Sequence, residues 1–594
     1  MLLALADGFT TAETHGQLLL GILLILAASQ FILYCALKWI FGDQFTGEEY
    51  FALSLAGWLL PASLFSFLWY FLAVIFSPQI SLLITVIFVF VASLVLFIRN
   101  LNTTSNSSKP IILFLLAVTA LFVVLRLAFV SKAILPLYFD SAQHYLLTKN
   151  IVASIQKENI VAAFLNYYHL GFHFLAAFVT FVTGAQINDT ILVLGQVILA
   201  VMPLSIFSIV RTWTHSNIAG IFAIILAAFG WYMPAHAVDW GKYPALAGIA
   251  LLPFGLNISY LSIQNRNVLS PRNYWGLNGI LLAGIFITVL LHSRMLIVFG
   301  IMVLAWSLTS LWGKLNKPLK LLVLGTGIIA LIVEIIFIQK KGLLGPLFDP
   351  YTSKGILITG VVLFLTIFAY LTNPRLVFFC IISIFLLLIS QFVSLGTLIP
   401  GYTNTTLLDR PFVEMILYLP LAILGGFGLA GLEQILQNKI NIRFNKSIGI
   451  LFVVLVCVNA FFKYNLYPSD CCAIVSQDDL TAIQWINQNL PQDAHILISS
   501  TNLNVLPTTA YQGSAGGDAG TWINPLINRT TIFMPFNKDF SQQQTLSEIC
   551  PLQVGYVYVG KTGSSFNDSA MNPDIYKILF SLPKARVYQV VGCK

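Results

Sequence analysis

Runs of about 20 consecutive apolar residues recur along this chain from residue 17 to residue 464, and a run of that length is what a helix needs to cross a bilayer. Inside lipid no water satisfies the backbone, so each run must close its own hydrogen bonds as a helix. Charged residues make up only 9% of the 594 positions and the mean hydropathy is +0.86, more apolar surface than a soluble domain of this length buries. The expected fold is a polytopic α-helical membrane protein of about 14 transmembrane helices, followed by a C-terminal soluble α/β domain. The opening residues, MLLALADGFTTAETHGQ, lack the basic start of a cleavable signal peptide.

Lysines and arginines fall in alternate loops. Arg99 to Lys109, Arg211, Arg266 to Arg272, Lys314 to Lys320, Arg375 and Lys439 to Lys446 form one set, cytoplasmic by the positive-inside rule. The other set then faces outward: 131–189, 236–243, 292–294, 339–354, 395–410 and everything after about residue 464. This alternation holds only if 161–183 does not cross the membrane, so that stretch is expected to be an amphipathic or re-entrant segment at the outer interface. The net charge of +8 is accounted for by the loop bias. No basic stripe is interleaved with aromatics, which argues against nucleic acid as a partner.

Three regions follow: extra transmembrane helices over 1–110, a transmembrane core over 111–464 with a large first outward loop at 131–189, and an extracytoplasmic domain over 465–594. In the last region DDLTAIQWINQNLP, QTLSEIC and IYKILFSLP read as helices, and HILISS, TTIFMPF, VGYVYVG and ARVYQVVG as strands. Such alternation predicts a mostly parallel sheet. The glycine-rich YQGSAGGDAGTW lacks phosphate-loop spacing and reads as a structural turn or as a loop leaning over the membrane site. Cys471, Cys472, Cys550 and Cys593 all lie in this region, where an oxidising compartment would allow a disulfide whose pairing sequence does not give.

The outward loops collect ionisable groups. The first carries Asp140, His144, Lys149, Lys157, Glu158, His169 and His173; HAVDWGKY brings His236, Asp239 and Lys242; LHSRM brings His292 and Arg294; the last brings Asp409 and Arg410. Ionisable groups at a bilayer boundary mark a candidate site. Asp140 reads as a helix N-cap, a general base or a metal ligand. Asp239 reads as a local ion-pair partner of Lys242, or as a second carboxylate that with Asp140 and His236 or His169 holds a divalent cation such as Mg or Mn. His169 and His173, four apart, would share a helical face, and such a pair binds zinc in other settings. Arg294, Arg410 and Lys242 read either as side chains snorkelling to lipid headgroups or as a set suited to a lipid phosphate, which guanidinium groups grip bidentately.

With these residues placed, the stretch 111–430 resembles the GT-C membrane glycosyltransferases, the group that includes protein O-mannosyltransferases and the aminoarabinose transferase of lipid A. Asp140 in LYFDSAQHY stands where that group has an acidic residue in its first outward loop. YYHLGFHFLAAFVTFVTGA resembles its second interfacial helix, and Arg211 its cytoplasmic arginine turn. Asp239 matches a further outward carboxylate, and Arg410 a late outward arginine near the lipid phosphate. No DD, DE or DxD pair stands beside Asp140, and the WWDYG-type signature of oligosaccharyltransferases is absent. The resemblance implies a polyprenyl-phosphate sugar as donor and a lipid, glycan or protein acceptor at the outer face; the short loops and the lack of an organelle signal point to a bacterial plasma membrane. The resemblance also implies inversion, with Asp140 as base. Arg410, Arg294 and Lys242, flanked by His292 and His169, would stabilise the departing phosphate. Two rival classes remain. A transporter or flippase would place its polar groups at mid-membrane on broken helices. A non-catalytic scaffold would use the α/β domain to bind a partner.

Overall fold

A computed structural model describes residues 1–594 except 101–108, 157–168, 313, 343, 354, 398–404, 440–444, 504–513 and 594. Lys157, Glu158, the first part of the 161–183 stretch and the start of the glycine-rich turn thus lie outside the described residues. Among the described residues nine helices are long and apolar enough to cross a membrane, or up to eleven if each of two bent pairs forms one span. This is fewer than the fourteen expected. Three of the expected spans correspond to Asn217–Phe229, Pro374–Ser390 and Ser447–Lys463, which are apolar but shorter. A 13-residue helix is only about 20 Å long against a hydrocarbon core of about 30 Å.

The centre of the bundle is Ile187–Thr214, a 28-residue helix that is buried from Thr190 to Val210. Around it pack Lys109–Val130, Asn217–Phe229, Tyr243–Gln264 and Gly47–Ala56. Helices that touch neighbours on every side have no polar face to lose, which is why Ile187–Thr214 reads as apolar all round. The N-terminal residues are part of this packing. Leu2–Thr14 lies against Lys109–Val130 so closely that a Cβ on Gly8 would fall 1.9 Å from the Val124 carbonyl oxygen. Gly171–Thr183 is 13 residues long and buried nearly throughout, with Phe174 and Phe178 against Tyr70 and Trp69. It lies inside the bundle rather than along its surface.

The C-terminal region is a six-stranded sheet flanked by Gln477–Asn489, whose start is closed by the Ser476–Asp479 capping box. The strands are β1 (His495–Asn502), β2 (Ser514–Gly516), β3 (Thr530–Pro535), β4 (Tyr556–Gly560), β5 (Tyr576–Leu582) and β6 (Ala585–Val590), in the order β2-β1-β4-β6-β5 with β3 also on β1. β1 runs parallel to β3 and β4, but β2, β5 and β6 pair antiparallel, so the sheet is mixed rather than mostly parallel. The reason is β5. The stretch read as a helix is a strand, because the two residues Pro583 and Lys584 turn it straight back onto β6. Cross-strand pairing overrides a weak helical pattern in so short a segment. Cys550 and Cys593 form a disulfide.

The sheet domain seats on Tyr138–Gln156. Trp522 meets Tyr145 edge-on at 5.7 Å, and the Lys149 ammonium donates to the Pro525 carbonyl and the Asn528 side chain at 2.7 and 2.9 Å. Asp518, in the glycine-rich turn, is buried and accepts from the Gly520 and Gly560 amides. The turn is therefore a structural clasp whose following residues rest on the helix that bears Asp140.

Candidate functional site

Four loops far apart in sequence meet at one end of the bundle. Tyr138–Gln156 begins two residues before Asp140, so Asp140 sits in its first turn and is not its N-cap. Its carboxylate accepts instead from the Lys242 ammonium. Lys242 is the residue that starts Tyr243–Gln264, where the helix dipole disfavours a cation. Burial also works against the ammonium, but Asp140 and then Asp409 outweigh it and hold the amine above its ordinary range. The two segments approach so closely that Gly241, at φ +67°, has no room for a side chain: a Cβ there would lie 2.4 Å from Ser141 Oγ. Gly241 thus fits both the left-handed backbone and the close contact.

Arg294 pairs with Asp409, and its guanidinium lies 6.0 Å over the Phe412 ring. Asp409 also caps Arg410–Ile416 by accepting from the Phe412 amide at 3.0 Å. Arg410 turns to Glu414 at 3.6 Å. Between these ion pairs sit four histidines. His144 Nδ1 and His173 Nε2 are 3.1 Å apart, and the His169 and His292 rings are 4.1 Å apart with Phe412 against His292. His169 and His173 therefore do not share a face: His169 precedes the helix and meets His292, while His173 is inside it and meets His144. Burial, then Lys242, pushes the His144 imidazole down to about 3; burial, then Arg294 and Lys242, does the same to His169. His292 is lowered in the same way, first by burial. These rings are neutral at ordinary pH.

That neutrality makes a testable statement. An imidazole held at about 3 in the fold but near 6.5 when unfolded leaves the unfolded chain binding more protons between those values. The stability is fully present above about pH 6.5 and is lost progressively as pH falls toward 3. Thermal unfolding between pH 7.5 and 5 should show the midpoint falling with pH, and His144→Gln or His169→Gln should flatten that slope. An unchanged slope in both variants would refute the neutral cluster.

Asp140, Lys242, Arg294, His169 and His292 are thus brought together, and Arg410 flanks them. Asp239 and His236 are not. They pair with each other, His236 Nδ1 lying 2.5 Å from Asp239 Oδ2, and Asp239 also accepts from the Ser469 amide and hydroxyl at 3.1 and 3.0 Å. The local ion pair of Asp239 with Lys242 does not form, because Lys242 reaches across to Asp140. The trio Asp140, Asp239 and His236 is not gathered as a metal site, and among the described residues no group of three or more His, Cys, Asp and Glu is placed to hold a metal. Sequence reasoning named Asp409 and His144 among the ionisable groups of the loops but gave neither a partner. It also missed Arg126, a cation buried near the end of Lys109–Val130 that donates to Gln196 Oε1 through Nε and Nη2 at 3.0 and 2.8 Å.

Residues 52–388, more than half of the chain, match the profile described as "Family of unknown function (DUF6541)". The chain belongs to that family. No curated protein matches it. The matched stretch contains Asp140, His144, His169, His173, Lys242, His292 and Arg294, so most of the cluster lies on the family's own segment. Asp409, Arg410 and the sheet domain lie beyond it.

Proposed function

We propose that this DUF6541 chain is a membrane glycosyltransferase of the GT-C type, taking a sugar from a polyprenyl-phosphate donor and passing it to an acceptor hydroxyl or amine at the outer membrane face. The observation that carries the reading is the convergence of Asp140, Lys242, Arg294 and Asp409, with neutral histidines between them, at one end of an apolar bundle. Such a place suits a lipid-borne phosphate: its tail lies against the helices, and its charge meets Lys242 and Arg294. Both cations are already held by carboxylates, so an entering phosphate competes for them. As Lys242 turns to the phosphate, Asp140 is released to take the acceptor proton. The acceptor atom then bonds to the anomeric carbon as the carbon–oxygen bond to phosphate breaks, with inversion. The electron pair stays on the phosphate, stabilised by Arg294, Lys242 and Arg410. His169 and His292, being neutral, line the cleft without adding charge. The residues considered as metal ligands do not fit a metal, and no step is routed through one. The proposed setting is a plasma membrane, with the sheet domain on the outer side.

The test uses the full chain in lipid nanodiscs with a panel of polyprenyl-phosphate hexoses and a panel of lipid, glycan and peptide acceptors, following release of free polyprenyl phosphate. Release that depends on the protein is the expected result. Movement of intact donor lipid between the leaflets of liposomes, with no release, would instead identify a flippase. Neither release nor movement across the panel would leave the scaffold reading.

A further inference from the structure

The chain leaves the helical bundle for the sheet domain through the turn 469–474, and this turn touches three parts of the protein at once. The Ser469 amide and hydroxyl donate to Asp239, in the turn that carries Lys242, at 3.1 and 3.0 Å. The Cys472 carbonyl accepts from the Tyr138 amide at 3.1 Å. Tyr138 opens the helix that bears Asp140, and the first amides of a helix have no partner within it, so Cys472 supplies one. Tyr138 also stands at φ +66°, a left-handed conformation that a bulky residue keeps only where its neighbours fix it. The Ile474 carbonyl accepts from the Thr562 hydroxyl of the sheet domain at 2.6 Å. The turn itself is closed by the Cys472 amide, which donates to the Ser469 carbonyl at 3.1 Å.

Two cysteines stand side by side in this turn. Cys471 is exposed, whereas Cys472 is buried. The Cys472 thiol donates to the Cys471 sulfur. That hydrogen bond outweighs burial and the charges of Asp239 and Asp470, and it brings the Cys471 thiol below its ordinary range. The same bond, and then burial, raises Cys472. The thiolate is the nucleophile in sulfur exchange. One cysteine is thus open to solvent and activated, and the other waits beside it within reach. In the same domain Cys550 and Cys593 are already joined, so disulfide chemistry suits this part of the protein.

We propose that Cys471 and Cys472 form a thiol–disulfide exchange site, whose substrate is a small-molecule disulfide and whose oxidised form is a vicinal disulfide that loosens the start of the Asp140 helix. The Cys471 thiolate attacks one sulfur of the substrate. The substrate's sulfur–sulfur bond breaks, and the departing sulfur takes up a proton and leaves as a thiol. Cys472 then gives up its proton, and its sulfur attacks Cys471 in the mixed disulfide and releases the second thiol. Two cysteine thiols are oxidised while one disulfide is reduced to two thiols, and an excess of thiol runs the exchange backwards. Closing the ring is what the rest of the protein feels. Neighbouring Cα atoms are about 3.8 Å apart, less than the roughly 4.4–6.8 Å that a disulfide spans, so closure has to turn the peptide between the two residues. That peptide carries the Cys472 amide, whose bond to Ser469 closes the turn, and the next peptide carries the carbonyl that holds Tyr138. The inference stands apart from the transferase reading, because its test follows sulfur chemistry and backbone exchange alone.

The experiment uses the full chain in nanodiscs, first treated with reduced glutathione and then incubated with oxidised glutathione. Remaining thiols are alkylated and the masses of tryptic peptides are read. Trypsin cuts after Lys463 and Arg529, and the peptide 464–529 contains Cys471 and Cys472 and no other cysteine. Loss of two hydrogens from this peptide, with no alkylation, is the expected result, and excess reduced glutathione should restore both thiols. Cys472→Ser should stop with glutathione retained on Cys471, and Cys471→Ser should leave the buried Cys472 unmodified. Hydrogen exchange reads the coupling. Amides at 138–140 and 469–474 should exchange about fivefold faster in the oxidised protein, the effect of one neutral hydrogen bond, while Cys472→Ser treated in the same way keeps the slower rate. An unreacted peptide, a lasting glutathione adduct on the parent protein, or a link through Cys471 between two chains would overturn the exchange site. A vicinal disulfide that leaves exchange at 138–140 unchanged would overturn the coupling to the Asp140 helix.

Discussion

Asp140→Asn is expected to lower sugar transfer by about 10²- to 10⁴-fold, the usual contribution of a positioned general base. Asparagine has the same shape and still accepts a hydrogen bond from Lys242, but it does not take the acceptor proton. The Asp140–Lys242 pair is partly open to solvent, with side chains 23% and 30% exposed. Its loss should therefore change stability by only about 1 kcal/mol. The measurement is the single-turnover rate of polyprenyl-phosphate release beside the thermal midpoint of the same preparation. A large fall in rate with an unmoved midpoint assigns chemistry to Asp140. Full activity in a folded Asp140→Asn protein would remove it from that role even if the protein is a transferase.

Asp239→Ala should act in the opposite way, on stability first. The carboxylate is only 3% exposed and joins His236 to the Ser469 amide and hydroxyl, while the Tyr232 hydroxyl reaches Ser469 Oγ at 2.7 Å. It therefore fastens the chain leading into the sheet domain to the turn that carries Lys242. Removing it leaves several polar groups short of partners, a loss of about 2–4 kcal/mol. A lowered thermal midpoint and faster proteolysis near residues 465–472 are the expected observations. If Asp239→Ala kept the parent midpoint, the fastening role would be refuted.

The two aspartates show how far residue type and loop position reach. Both stand in loops read as outward, and both read as ligands of one cation, Asp140 also as an N-cap or base and Asp239 also as a partner of Lys242. Their difference lies in partners that no local pattern encodes. Asp140 meets Lys242 across 102 residues, and Asp239 meets Ser469 across 230. The same holds for Arg294, whose partner Asp409 is 115 residues away, and for the histidines, where an i,i+4 spacing at 169 and 173 pointed to one face and the chain instead sent each ring to a different neighbour.

The apolar runs determined by themselves that most of this chain is a bundle of helices, because burying a backbone in lipid or in a dry core leaves a helix as the local solution for each run. They also placed the change of character near residue 465, where charge and strand patterns begin. Which helices are long enough to span, that Tyr576–Leu582 is a strand, and which ions pair with which were decided only in three dimensions. Helix formation is written in neighbours within a few residues, whereas strand pairing, ion pairing and cavities depend on segments that meet only after the chain has packed.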